Sequence, residues 1–114
     1  MNWYLAKINF RIICGAGNHK PQFDEQLRLI FATDSLEAFY KARLIGEKEG
    51  NAECSAQVKW IFLDVSELHL LSELTDGAEL YSNVREEEEP DLYIRNTKKR
   101  AAKLLEAGLH ILTA

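Results

Sequence analysis

His19, Asp24 and Glu25 lie close together in the sequence. They are the nearest this chain comes to grouping a base with two acids, the residue types that general acid–base chemistry uses. Asp24 and Glu25 are neighbours in an alternating stretch, so a strand there would point them to opposite faces. They could act together on one substrate only across a bulge. The commoner role for Glu25 is a bond to the Gly15–Asn18 backbone or to His19, which makes this trio at most the edge of a pocket at a hairpin end. Gly15-Ala-Gly17 also follows a strand, as a phosphate loop does, but a third glycine is missing and a second strand comes next instead of a helix. His69 and His110 have no metal-ligand spacing with each other or with Cys14 or Cys54. No metal or cofactor is expected, and the two cysteines read as ordinary thiols of a reduced, cytoplasmic chain. An enzyme is therefore the less favoured reading.

The elements that would position these residues centre on Phe23–Glu49. Residues 3–14 alternate, with Tyr4, Ala6, Ile8, Phe10, Ile12 and Cys14 on one face and Lys7, Asn9 and Arg11 on the other, the period of a half-buried strand. Turn formers fill Gly15–Pro21. A second strand then sets Phe23, Leu27, Leu29 and Phe31 against Asp24, Gln26 and Arg28. The pair reads as an antiparallel hairpin. If apolar faces meet on one side of the sheet, even positions of the first strand oppose odd positions of the second. One such register pairs Arg11 with Asp24 and sets Lys7 against Arg28; the other avoids that like-charge contact.

Thr33 or Asp34 is the expected N-cap of the next element, and Asp34-Ser-Leu-Glu37 has capping-box spacing. Ala38, Phe39, Ala42, Ile45 and Gly46 recur at helical spacing and give a small-residue face suited to a sheet, with Gly50 as a natural stop. Gln57–Val65 is a third strand, alternating through Val58, Trp60 and Phe62, with Ile61 and Leu63 spoiling the pattern near its end, and Ser66–Leu71 reads either as its extension or as a helical turn. Thr75-Asp76-Gly77 is a turn signal and Glu79–Val84 a short fourth strand. Trp3 and Trp60 read as core or interface aromatics. The predicted fold is α+β: an antiparallel sheet of about four strands in the order ββαββ, one helix on a face and an additional C-terminal helix.

At Glu86-Glu-Glu-Glu89 the composition changes abruptly. Residues 1–85 form the predicted α+β domain, and 86–114 an acidic connector and helix attached to it. Pro90 suits a first helical position, and Arg95, Lys98, Lys99, Arg100 and Lys103 follow the acids in the sense the helix dipole favours. Gly108 is expected to end this helix, leaving Leu109–Leu112 as an apolar tail.

The 114 residues carry a formal net charge of −4, which gives no overall pull towards nucleic acid or a membrane. Met1–Lys7 lacks a basic n-region and does not read as a signal peptide. No apolar run approaches the roughly 20 residues of a membrane span.

Trp3-Tyr-Leu-Ala-Lys7, Phe23-Asp-Glu-Gln-Leu-Arg-Leu-Ile30, Ala42 with Ile45-Gly46, Val58-Lys-Trp60 with Asp64-Val65, and Asp76-Gly77 with Glu79 together resemble a family of short bacterial proteins known only as a domain of unknown function. The resemblance covers roughly residues 3–85. It implies a single cytoplasmic bacterial domain and brings no activity with it.

On the register assumed above, the sheet face without a helix shows Lys7, Asn9, Arg11, Gln26, Arg28, Gln57 and Lys59, with Asp24 as its lone acid and Trp3, Leu5, Ile13, Ile30 and Ile61 as an apolar rim. Lys7, Asn9, Arg11, Gln26, Arg28 and Lys59 are therefore the candidate binding residues of a non-catalytic protein-interaction module, regulatory or toxin-neutralising. Its expected partner is another protein, and the apolar rim and free strand edges also point to a homodimer. The alternative is a small-molecule or enzymatic site at the hairpin end using His19, Asp24 and Glu25. Nucleic-acid binding through the same face and Lys98–Arg100 is disfavoured, because that face has no central aromatics on which bases could stack.

Overall fold

In the computed structural model the chain runs β1 (Asn2–Cys14), β2 (Gln22–Ala32), α1 (Ser35–Gly50), β3 (Val58–Leu71) and α2 (Pro90–Thr113). Residues 1–50 and 57–113 are described, with side chains through residue 108. The connector 51–56, with Cys54, and the His110 side chain fall outside that set. The chain divides into two compact units, Met1–Tyr81 and Ser82–Ala114.

The first unit is α+β. Its three strands form one antiparallel sheet in the order β2-β1-β3, with α1 across one face. The expected fourth strand is not formed: residues 79–84 are irregular, and β3 instead continues to Leu71. Two register shifts let it do so, one at Leu63 between the pairs Phe10↔Phe62 and Asn9↔Asp64, the other at Ser66 between Ile8↔Val65 and Lys7↔Glu67. These bulges account for the broken alternation near Ile61 and Leu63. They re-aim the strand so that Val65 and Leu68 join the core while Glu67 meets Lys7.

At the start of α1, Asp34 Oδ1 accepts from the Glu37 amide at 2.8 Å. The Glu37 carboxylate reaches back to the Thr33 amide at 3.2 Å and to its hydroxyl, a capping box shifted by one residue. The face Ala38–Ala42–Gly46 is buried against Tyr4, Ala6, Ile8, Phe10, Ile30 and Ala32. Gly46 is required by contact: a β-carbon there would overlap the Phe62 ring, and one at Gly50 would come within 2.9 Å of the Phe62 backbone. Small residues thus let α1 lie close on the sheet.

The hairpin register departs from expectation. Tyr4 opposes Ile30, Ala6 opposes Arg28, Ile8 opposes Gln26 and Phe10 opposes Asp24. Even positions face even positions, so β2 turns its polar row towards α1. Phe23, Leu27, Leu29 and Phe31 look out on the side opposite α1, and each is 41–56% exposed. The rule that apolar rows must share a face fails here because β2 is an edge strand. Only its last inward residues, Ile30 and Ala32, are fully buried beneath α1. The inward polar residues nearer the hairpin find partners instead. Trp60 Nε1 donates to Asp24 at 3.1 Å, Gln26 donates to Asp24 at 2.7 Å, and Arg28 donates to Gln26 at 2.8 Å and to Glu49 at 2.6 Å. A half-buried polar chain that is satisfied link by link costs far less than an unpaired one.

The second unit holds α2, opened by Pro90 with Asp91 in its first turn. Arg85 pairs with Glu87 at 2.6 Å and lies over the Tyr93 ring. The helix passes through Gly108 to Thr113 and does not stop at the glycine. One interior glycine costs only about 1 kcal/mol, and the strong helix formers around Leu104 and Leu105 carry the helix past it.

Candidate functional site

The residues proposed from sequence fall in two places. Lys7, Asn9, Arg11 and Lys59 lie on the sheet face opposite α1 by register, with Lys7 opposite Glu67, Arg11 opposite Ile61 and Lys59 opposite Ile13. Gln26 and Arg28 do not join them: they belong to the polar chain beneath α1, so the continuous polar docking face drawn from the sequence is not assembled. Ile30, expected on the rim, is 3% exposed in the core.

The hairpin-end trio is not brought together either. His19 Nε2 accepts from the Cys14 amide at 3.0 Å and its Nδ1 donates to the Lys20 carbonyl at 2.8 Å, so both ring nitrogens hold the turn. Asp24 is committed to Trp60 and Gln26 on the α1 side. Glu25 is exposed on the opposite face beside Asn9. Gly15 and Gly17 take positive φ values of 56° and 81° within this turn. Among the described residues no cluster of histidine, cysteine and acids could hold a metal ion, and no helix is long and apolar enough to cross a membrane.

What the structure does assemble is an apolar stripe. Along β2 run Phe23, Leu27, Leu29 and Phe31, continued by Trp3, whose ring lies 4.6 Å from that of Phe31, and flanked across β1 by Ile61. α1 carries a smaller exposed row, Leu36, Tyr40 and Leu44. The sheet stripe was legible as an alternating row; what the sequence lacked was a sign that the row faces outward.

The β3 side of the same face is occupied differently. Lys7 pairs with Glu67 at 2.7 Å and sits 5.9 Å from the centre of the Tyr81 ring. Tyr81 bonds Glu67 at 3.3 Å and contacts the His69 ring at 5.2 Å. The hydrogen bond from Lys7, with smaller contributions from Tyr81 and His69, holds the Glu67 carboxyl below its ordinary value, while the same bond raises Lys7. On the other edge of β3, Arg43 grips Asp64 with two bonds of 3.0 Å and, with the Val65 amide, lowers that carboxyl. Tyr81 thus shields the β3 half of the face and leaves the β2 half bare.

No curated protein and no solved structure matches the chain. Residues 3–82, which span all three strands, α1 and Tyr81, match the family described as a domain of unknown function, DUF4288, and the chain belongs to that family.

Proposed function

We propose that the protein is a non-catalytic interaction module that meets a protein partner through the β2 half of the sheet face opposite α1. One observation carries this reading: a row of large apolar side chains, interrupted at Glu25, stands exposed on an edge strand whose polar row is turned inward and satisfied. Exposed apolar patches of this extent mark contact surfaces more often than bare monomer surface, and an unpaired edge beside one is itself a pairing hazard. Lys7, Arg11 and Lys59 provide a polar border, the usual rim of such an interface.

The reading is tested by placing a photo-crosslinking residue at Leu29, at Tyr40 on the helix row and at exposed Lys48. Adducts are expected from position 29 and not from 48. Adducts from position 40 alone, or none from 29, would sink the proposal.

A further inference from the structure

Resting on that interaction reading, we infer that the partner is a second copy of this chain, with the two bare sheet halves packed face to face about a two-fold axis.

The first argument is area. Trp3, Phe23, Leu27, Leu29, Phe31 and Ile61 are 39–56% exposed, which for side chains of this size leaves roughly 600 Å² uncovered per copy. A standard interface buries about 800 Å² per partner, so the stripe with its polar border is the right size for one. It also lies at the upper limit of what a monomer ordinarily exposes.

The second argument is architecture. The first unit is a two-layer structure whose sheet is covered by α1 on one side and only in part by Tyr81 on the other. Two layers are enough only when the outer face of the sheet is polar. Here half of it is not, and a flat apolar sheet face is matched most directly by another sheet face about 10 Å away.

The third argument is charge. Glu25 and Arg11 both stand exposed on this face, on adjacent strands, Glu25 next to Phe23 and Arg11 opposite it. Among the described residues neither forms a salt bridge within the chain, whereas Lys7, Arg28 and Arg43 all do. A two-fold interface joins unlike patches reciprocally, so the acid of one copy can meet the base of the other twice. Glu25 acts on Lys7 only through its field, and among the described residues neither it nor Arg11 has a close ion-pair partner, so this acid and this base on one face supply that self-complementarity.

The test uses the purified full chain in sedimentation equilibrium. Wild type is expected to be a dimer at micromolar concentration. Leu29→Asp should weaken dimerisation about tenfold or more, because a carboxylate would be buried unpaired, with an unchanged far-ultraviolet circular dichroism spectrum. Arg11→Glu and Glu25→Arg should each weaken self-association, while a mixture of the two should form a heterodimer, since that pairing restores both acid–base contacts. A mixture no tighter than either variant alone overturns the inference. So does a wild type that stays monomeric at high micromolar concentration, whether its stripe is accessible or covered by a segment of the same chain. Should wild type be monomeric while Leu29 crosslinks to a different protein, the second copy is excluded and the interaction reading stands.

Discussion

The Phe31 ring packs tilted against Trp3 with centroids 4.6 Å apart, on the side of the sheet that α1 does not cover. Had β2 slipped by one residue against β1, Phe31 would lie under the helix and Ile30 outside. The outward placement of this apolar row therefore follows from the register of a single strand pair.

Substitutions along the outward row should separate stability from association. Leu29→Asp, at a half-exposed side chain, is expected to cost only about 1 kcal/mol of unfolding free energy. Phe10→Ala, at a ring that is 1% exposed, should cost about 3–5 kcal/mol. Urea denaturation of both variants, at concentrations where the wild type is monomeric, checks the contrast. Comparable losses in the two would mean that the outward row is part of the core.

Close approach of α1 to β3 makes Gly46 sensitive to one methyl group. Gly46→Ala should destabilise by about 1–3 kcal/mol, because the Phe62 ring must move to admit it. Combining it with Phe62→Leu should recover part of the loss, which would show as non-additivity in a double-mutant cycle. Strict additivity would place the strain elsewhere.

Trp60 anchors the inward polar row of β2 through its indole N–H. Trp60→Phe keeps most of the apolar bulk and deletes that donor, so a cost of about 1–3 kcal/mol is expected. Asp24→Ala, which breaks the Gln26 bond as well as the Trp60 bond, should cost more than Trp60→Phe. Thermal melts of the two variants decide it.

Acid should loosen the fold through Glu67 and Asp64. The Lys7 bond lowers the first carboxyl and the Arg43 bonds lower the second. A depressed folded-state pKa contributes stability that is present above the unfolded value and lost as pH falls through the folded one. Tm should therefore be level near neutrality and decline from about pH 5 towards pH 3. The raised Lys7 keeps its contribution until pH climbs beyond the ordinary lysine range. These side chains are 22–50% exposed, so screening keeps the effect small. Glu67→Gln and Asp64→Asn should each flatten the acid decline. An identical acid limb in both variants would remove these pairs as its cause.

Local signals in the chain determined a good deal. Alternation in residues 3–14 and 22–32, the capping residues Asp34 and Glu37, the small face Ala38–Ala42–Gly46 and the start of α2 at Pro90 all follow from the periods of strand and helix and from cap chemistry, which act over a few residues. The opposite facing of Asp24 and Glu25 was fixed in the same way. Which row of β2 turned inward was not. An alternating strand states that two rows exist; the choice between them depends on what lies above each. Here it depended on Trp60, thirty-six positions away, offering a donor to Asp24, and on Glu49 receiving Arg28. The length of β3 and its two bulges likewise depended on pairing with β1. Such long-range partners exist only once the chain has folded, and at an edge strand they outweighed the burial that hydrophobic patterning alone would favour.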